Sequence, residues 1–487
     1  MYFFVKKFKK AMALSLALAM GLSLAACGDD KKDDGDATEA TTTEAAKDDA
    51  GDEDTEAPAD TEDGEVAEGG IAAPSTDGWD DSKKIYAYTW DENFQKTVEL
   101  LLEKYPEYVD YVEFVNLGVG GQSDEWIQGV DTALENGDKY PSLIPADIGV
   151  AKYWSEDDSK TANLYDLGFT DDMFADNYDF VLDFGSYNGE LKCVTYQANP
   201  GSVFYRRDIA QDVFGTDDPD EIQKKLADWD TVLETAQELK DAGYYLTSGP
   251  ADVKYPIWET KSNPWVTIAS DGSETLTLDS SVTTYFETAK TLNDEGYTNG
   301  VAGMWNSDWY ADMTDESKVF CFFGCPWFVG TMQGNGAVDG NWGAVVGPQA
   351  YHWGGTYVSI GKDTPNPELA AFIAYELCCD TDFAVDLVNS DCDTNCSANK
   401  AANARLASGE LSADFNATKF LGGQNPFEVW SEASEGINLA NETYADGTLQ
   451  GFMDDASTGY NAGTYSSVDE ALQYVKDQAS SVLGLSE

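Results

Sequence analysis

The chain has 487 residues, an ordinary hydrophobic fraction of 42%, and a formal charge of −60 from 89 acids against 29 bases. Such a surface repels nucleic acid and anionic lipid headgroups but leaves neutral ligands open. One histidine, His352, argues against His-based catalysis, and no phosphate loop or Ser-His-Asp set is visible.

The N-terminus reads as a targeting segment. Lys6, Lys7, Lys9 and Lys10 form a positive region, and Ala11 to Leu24 is an apolar run too short for a comfortable membrane span. It ends Leu24-Ala25-Ala26-Cys27-Gly28, which resembles the bacterial lipoprotein lipobox, with Cys27 as the lipid-carrying residue after cleavage. Residues 28–78 hold nineteen acids, three lysines and almost no large apolar side chains. That composition cannot offset chain entropy by burial, so a disordered, extended tether is expected.

The folded part begins with a strand at Lys84–Trp90. An amphipathic helix follows over 93–104, with Phe94, Val98, Leu101 and Leu102 on one face. A second strand is read at 109–117, then a helix capped by Ser123 that stops near Gly137, then a third strand at 146–151. Strand and helix alternation of this kind implies a parallel sheet with covering helices.

Thr195 to Ile209 (TYQANPGSVFYRRDI) is a polar strand broken at Asn199-Pro200-Gly201 and resumed at Val203-Phe204-Tyr205. Proline withholds a backbone donor and glycine tolerates unusual φ, so this break suits a crossing between two lobes. Helices are read at 229–241 and 283–295, and buried strands at 319–323 and 343–346. Gly347-Pro348 reads as a second crossing, before a strand at 357–360 and a helix opened by Asn366-Pro367. The last helix starts at Ser467-x-x-Glu470. Seven cysteines follow Cys27. The Cys392-x3-Cys396 pair near Cys378-Cys379 suggests disulfides in an exported protein, while zinc is disfavoured by the absent C-x2-C and the single histidine.

Several motifs together are familiar: Gly201-x-x-Phe204-Tyr205-Arg206-Arg207-Asp208, the Trp229 helix entry, Gly324-Cys325-Pro326-Trp327 after a strand, and Trp342 to Ile360 followed by Asn366-Pro367-Glu368-Leu369-Ala370. Across residues 83–485 the chain resembles the carbohydrate-binding solute receptors of bacterial ABC importers, the family of maltose-binding protein. The resemblance implies an α/β, two-lobed periplasmic-binding-protein-like fold, with a hinge of two or three crossings and a ligand cleft between lobes. It implies an N-terminal lobe of residues 79–198 and 348–395, and a C-terminal lobe of 199–347 and 396–487. It further implies capture of a sugar or oligosaccharide by lobe closure and delivery to permease subunits, with no catalysis, cofactor or metal. With the lipobox, the expectation is a monomeric receptor lipid-anchored to the outer face of the cytoplasmic membrane. The long acidic tether and the clustered cysteines depart from the family pattern.

A sugar needs flat aromatic platforms for its C–H faces and polar groups for its hydroxyl rim. Trp90-Asp91 ends the first strand beside a turn, where ligands sit in open α/β sheets. Asp147, read as opening the third strand, either accepts a hydroxyl or caps its neighbouring turn. Gln197 and Asn199 lie on the crossing, which lines the cleft in the family. Trp327 follows a rigid turn and matches the family's stacking tryptophan. Trp258 and Trp265 fall in an irregular segment, Trp353 precedes Gly354-Gly355, and Gln424-Asn425-Pro426 reads as a late cleft loop. Trp305 and Trp309, four apart, are expected on one buried helix face. Arg206 and Arg207 are expected in structural ion pairs rather than an anion site. Two alternatives stand beside this reading: a surface glycoside hydrolase with paired carboxylates, and the same fold binding a peptide or polyamine.

Overall fold

The computed structural model describes residues 69–486 apart from Thr260, Ser270 and 391–395. The expected targeting segment, Cys27, most of the expected tether and Cys392 lie outside the described residues. Residues 69–78, the end of the expected tether, run against the folded body, where the Pro74 carbonyl accepts from the Tyr108 hydroxyl at 2.7 Å. Among the described residues, no helix is long and apolar enough to cross a membrane.

The first lobe begins with β1 (Ile85–Thr89), α1 (Asn93–Lys104), β2 (Val112–Asn116), α2 (Asp124–Asn136) and β3 (Pro141–Asp147). The α1 face formed by Phe94, Val98, Leu101 and Leu102 is buried, as its spacing dictates. Ser123 caps α2 by accepting from the Trp126 backbone at 3.2 Å, and Gly137 closes it in the left-handed conformation at φ 76°. Next come α3 (Ile148–Ser155) and the short β4 (Val194–Thr195). The chain then enters the second lobe through β5 (Ser202–Arg206), α4 (Arg207–Phe214), α5 (Trp229–Ala242), α6 (Lys254–Trp258), α7 (Ser280–Asp294) and α8 (Ser307–Ala311). There follow β6 (Cys321–Gly324), α9 (Phe328–Gly334) and β7 (Trp342–Val345). The chain returns in β8 (Thr356–Ile360) and α10 (Pro367–Cys379), and later forms α11 (Lys400–Arg405), α12 (Phe427–Glu435), α13 (Asp446–Asn461) and α14 (Val468–Gln478).

Two sheets result. The first has the order β2-β1-β3-β8-β4, with β1 parallel to both β2 and β3, and β8 antiparallel to β3 and β4. The second is β6-β5-β7, all antiparallel. The fold is therefore the expected two-lobed α/β arrangement. The crossings at 196–201 and 346–355 run side by side: Gly201 donates to the Tyr351 carbonyl at 2.7 Å, and Trp353 donates to the Asn199 carbonyl at 3.2 Å. Asn199 takes φ 49°, a left-handed conformation that asparagine tolerates. A Cβ on Gly201 would stand 2.1 Å from the Tyr351 ring, so glycine is required for the crossings to touch. Residues 396–403 bridge to the first lobe through Gln197–Ser397 and Asn177–Asn399. The later Phe420 stacks on Trp342 of the second sheet at 6.1 Å and 11°.

Three local expectations shift. The third strand is 141–147, and the residues read as its second half form α3 instead. Pro145 inside the run argued against an earlier strand start. The ladder accepts it because the register with β1 covers only Tyr86–Pro141 and Ala87–Leu143. Val109 belongs to a 3-10 helix over Pro106–Tyr111 rather than to β2. Cys193, Cys321, Cys325, Cys378, Cys379 and Cys396 are all buried and outside any disulfide, so the disulfides expected of Cys378, Cys379 and Cys396 are not formed among the described residues. Burial pushes the Cys193 and Cys396 thiols up to about 12, which keeps them inert.

Candidate functional site

A cavity of about 580 Å³ opens between the lobes, at the carboxyl ends of β1 and β3 and against the paired crossings. The first lobe contributes Trp90 and Asp91 just beyond β1, and Asp147 with Ile148 where β3 turns into α3. Asp91 accepts from the Asn93 backbone at 2.9 Å, at the start of α1. Asp147 ends β3 rather than opening it. It caps α3 through the Gly149 backbone at 2.9 Å and takes a second bond from the Gln122 amide at 2.8 Å. Burial raises its proton affinity against those two bonds.

The crossings contribute Gln197, Asn199, His352 and Trp353. Gln197 is partly committed, since its Oε1 accepts from the Thr356 backbone at 2.8 Å. His352 is 2% exposed, and burial lowers its pKa to about 3, so the imidazole is neutral.

The second lobe supplies an aromatic wall. Trp353 faces Tyr255 at 4.4 Å and 26°. Trp327 and Trp305 stack at 6.1 Å and 19°, and both meet Trp353 edge-on, at 5.0 Å and 5.7 Å. Edge-to-face packing of this kind holds aromatic planes in fixed orientation. Trp305 is 45% exposed and sits at φ 63°, just before Asn306, whose side chain caps α8 by accepting from the Asp308 and Trp309 backbones at 3.0 Å. It therefore lies outside the helix, and only Trp309 is buried as the spacing suggested. A non-glycine side chain at positive φ is strained, and here it places an indole at the cavity mouth.

A buried ionic layer closes the cavity floor. Lys254 bonds Asp454 at 2.7 Å. Lys261, 4% exposed, pairs with both Glu442 and Asp446. Glu259 accepts from the Gln450 amide at 3.2 Å. Burial lifts the Asp446 carboxyl to about 7 despite the Lys261 ammonium beside it, with Glu442 adding to the rise.

Of the residues singled out in the sequence, Trp90, Asp91, Asp147, Gln197, Asn199, Trp327 and Trp353 meet at this cavity. Four do not. Trp258 is fully buried against Tyr285 (4.8 Å) and Trp265 (6.4 Å). Trp265 is fully buried too, with the Lys261 ammonium 4.3 Å over its ring. Gln424 is spent on the edge strand β7, exchanging bonds of 2.9 and 2.8 Å with the Ala344 backbone. Asn425 accepts from the Phe427 backbone at 3.0 Å and donates toward the Leu406 and Ala407 carbonyls. Sequence reading missed Tyr255, Trp305 and the acids Glu259, Glu442, Asp446 and Asp454. The cap at Asn306 was the available signal for Trp305. The acids carry none, because 89 acids hide any particular four.

Arg206 and Arg207 lie behind the site. Arg206, 1% exposed, grips Asp208 with two bonds of 2.8 and 2.7 Å and donates to the Thr314, Asp315 and Ser317 carbonyls. Arg207 joins Asp217 to the Trp342 and Leu421 carbonyls. Both are structural. Among the described residues, no group of His, Cys, Asp and Glu side chains is arranged to hold a metal.

Comparison with known proteins agrees with the fold. An extracellular solute-binding protein of family 1 superposes with a TM-score of 0.68 at 14% identity, covering 82% of this chain and 99% of its own. The galacto-N-biose/lacto-N-biose I-binding protein of an ABC transporter from Bifidobacterium longum, solved with lacto-N-biose, gives 0.63 at 13% identity over 84% and 100%. An ABC transporter associated binding protein from B. animalis subsp. lactis Bl-04, solved with β-1,6-galactobiose, gives 0.60 at 19% identity over 83% and 100%. None of the curated proteins matches the chain in sequence. The family model for bacterial extracellular solute-binding proteins matches residues 101–383, more than half of the chain. The chain belongs to the bacterial extracellular solute-binding protein family.

Proposed function

We propose that this protein is the lipid-anchored receptor of an ABC importer, capturing a sugar or oligosaccharide between its lobes and delivering it to membrane permease subunits. The observation that carries this reading is the indole and phenol wall of Trp305, Trp327, Trp353 and Tyr255 facing hydrogen-bonding side chains across an interlobe cavity. Aromatic faces displace water from sugar C–H surfaces, and carboxylates and amides satisfy the hydroxyls that would otherwise be buried unpaired. The sugar complexes of the Bifidobacterium neighbours support the ligand class.

Binding works through lobe closure. Side chains from both lobes and both crossings line the cavity, so a ligand that bridges them has higher affinity for the closed arrangement and shifts the population toward it. The closed pair of lobes then forms the surface that a permease reads. The lipobox assigns attachment to Cys27, and the acidic segment after it gives reach from the membrane.

A thermal-shift screen against mono- and oligosaccharides, with peptides and polyamines as controls, tests the reading. A glycan that raises the melting temperature and survives incubation intact is the expected result. Cleavage of the glycan into products would make the protein a hydrolase, and a response confined to peptides would overturn the sugar class.

A further inference from the structure

Four large hydrophobic side chains are markedly exposed among the described residues: Val109, Ile268, Trp305 and Val338. Of these four, Trp305 is the one that lines the cavity between the lobes. It is 45% exposed, whereas Trp353 on the same wall is 7% exposed, with Tyr255 stacked on it at 4.4 Å. Trp353 is thus a pillar of the wall, and Trp305 presents open indole surface. An indole that lines a cavity and still meets solvent stands at the rim. Leaving that much apolar area in water is unfavourable until something covers it.

The backbone under this ring is held in place from both directions. Strain such as the φ of 63° at Trp305 persists where the surroundings over-determine it. Besides capping α8, Asn306 donates to the Gly303 carbonyl at 2.6 Å, so one side chain ties the residues before Trp305 to those after it. Trp309 is 1% exposed, gives its indole N–H to Asp252 at 2.7 Å, and supports the Trp305 ring at 5.1 Å. Core packing in this segment is therefore done by Trp309. What the strained turn adds is an oriented, half-open ring at the rim, nearly parallel to Trp327. The interior of the cavity is served by Trp327 and by polar side chains such as Gln197 and Asn199. A ligand lying wholly inside would leave Trp305 uncovered. A ligand made of several rings would fill the interior with one ring and cover Trp305 with another.

We infer that Trp305 is the platform for the outermost ring of an oligosaccharide, so that the receptor selects chains of two or more sugar rings over monosaccharides. This rests on the sugar reading above and narrows it by length. Trp305 is then a specificity-determining residue: it reads the part of the chain that reaches the cavity mouth, while the interior groups hold the first ring.

Length series test it by calorimetry on the full chain at neutral pH. The probes are glucose against maltose and maltotriose, galactose against β-1,6-galactobiose, and xylose against xylobiose and xylotriose. The expected result is that, in at least one series, a chain binds at least tenfold tighter than its monosaccharide. Monosaccharides binding as well as or better than the chains in every series that binds would overturn the inference and leave the sugar reading standing. Silence from every member would overturn both. Glycine adopts φ 63° freely, so Trp305→Gly keeps the turn and removes the ring. It is expected to reduce the chain-over-monosaccharide ratio at least fivefold, and Trp305→Tyr to restore part of it. A ratio unchanged in Trp305→Gly would overturn the role of Trp305. Oxidative footprinting of the unmodified chain answers the same question without a variant. Labelling of Trp305 should fall at least threefold with the tight-binding chain and not with its monosaccharide; equal labelling in the two complexes would remove Trp305 from the outer position.

Discussion

The Trp327 indole N–H donates to the Trp353 backbone carbonyl at 3.1 Å, and the two rings meet edge-to-face at 5.0 Å and 67°. This one relationship ties the start of a second-lobe helix to the crossing that carries the chain back to the first lobe. The aromatic wall is thus fastened to the hinge. Trp327→Ala removes the stacked partner of Trp305 and the donor to Trp353 together. It is expected to weaken binding of the best glycan at least tenfold, a loss of about 1.4 kcal/mol or more. Trp327 is only partly buried, so the variant should still unfold cooperatively. Calorimetry checks the affinity and circular dichroism the fold. An unchanged dissociation constant would remove Trp327 from the binding wall.

Lobe closure makes a prediction about shape. With both lobes and both crossings lining one cavity, saturating ligand should reduce the radius of gyration measured by small-angle scattering. The change should disappear in the Trp327→Ala variant at the same ligand concentration. A tight ligand that leaves the scattering curve unaltered would exclude closure as the mechanism.

Much of this architecture is legible in the residues. The α1 stripe, the Ser123 and Asn366 caps and the Asn199-Pro200-Gly201 break all act locally, and local physics determined them. The cavity was legible where a site residue follows a strand end or sits on a crossing, as with Trp90 and Trp353. It was not legible where the role depends on what packs behind. Trp258 and Trp265 read as loop aromatics, but both are packed inward: Trp258 meets Tyr285 of α7, and Trp265 meets Trp258 edge-on with the Lys261 ammonium over its ring. Gln424 reads as part of a late cleft loop, yet strand β7 needs a partner for its free edge and takes its amide. The acids of the floor come from two segments almost 200 residues apart, and only tertiary folding brings Glu259 to Glu442.

The Gly201 close approach predicts a stability effect without loss of any polar contact. Tyr351 cannot swing aside, because its hydroxyl donates to the Gly324 carbonyl at 2.7 Å and the ring is 2% exposed. Gly201→Ala should therefore destabilise by about 1–3 kcal/mol, the range for overpacking a closed site. A shift of the urea midpoint with the m-value preserved is the expected signature. Full stability in this variant would mean that the crossings separate more easily than their paired hydrogen bonds suggest.

Arg206 predicts a larger loss. Its guanidinium, 1% exposed, donates to three backbone carbonyls and to the half-exposed Asp208 carboxylate, so Arg206→Ala leaves the three carbonyls without that donor. A loss of about 3 kcal/mol or more is expected, because each carbonyl left unpaired costs about 1–3 kcal/mol. Arg206→Lys should rescue little, because an ammonium cannot reproduce the planar fork that engages both Asp208 oxygens. Chemical denaturation of both variants measures this, and recovery by lysine would show that charge alone is required.

The buried acids set the pH dependence. Burial raises Asp446 to about 7 and Asp252 to about 6, above the ordinary 3.8. The folded chain therefore holds these protons more tightly than the unfolded chain. Their contribution is complete below about pH 4 and is lost as pH rises through 6 and then 7. His352 opposes them: its folded pKa near 3 lies below the usual 6.5, so it contributes stability above 6.5 that declines as pH falls. Two carboxylates outweigh one imidazole between pH 4 and 6, and the melting temperature should be higher at pH 5 than at pH 7. Relief of repulsion across a chain of charge −60 acts in the same direction, so the wild-type profile alone cannot assign the effect. Asp446→Asn supplies the control. It keeps the surface unchanged and removes one titration, and should narrow the pH 5 to pH 7 difference. A profile identical to wild type would show that Asp446 stays ionised beside Lys261 throughout this range.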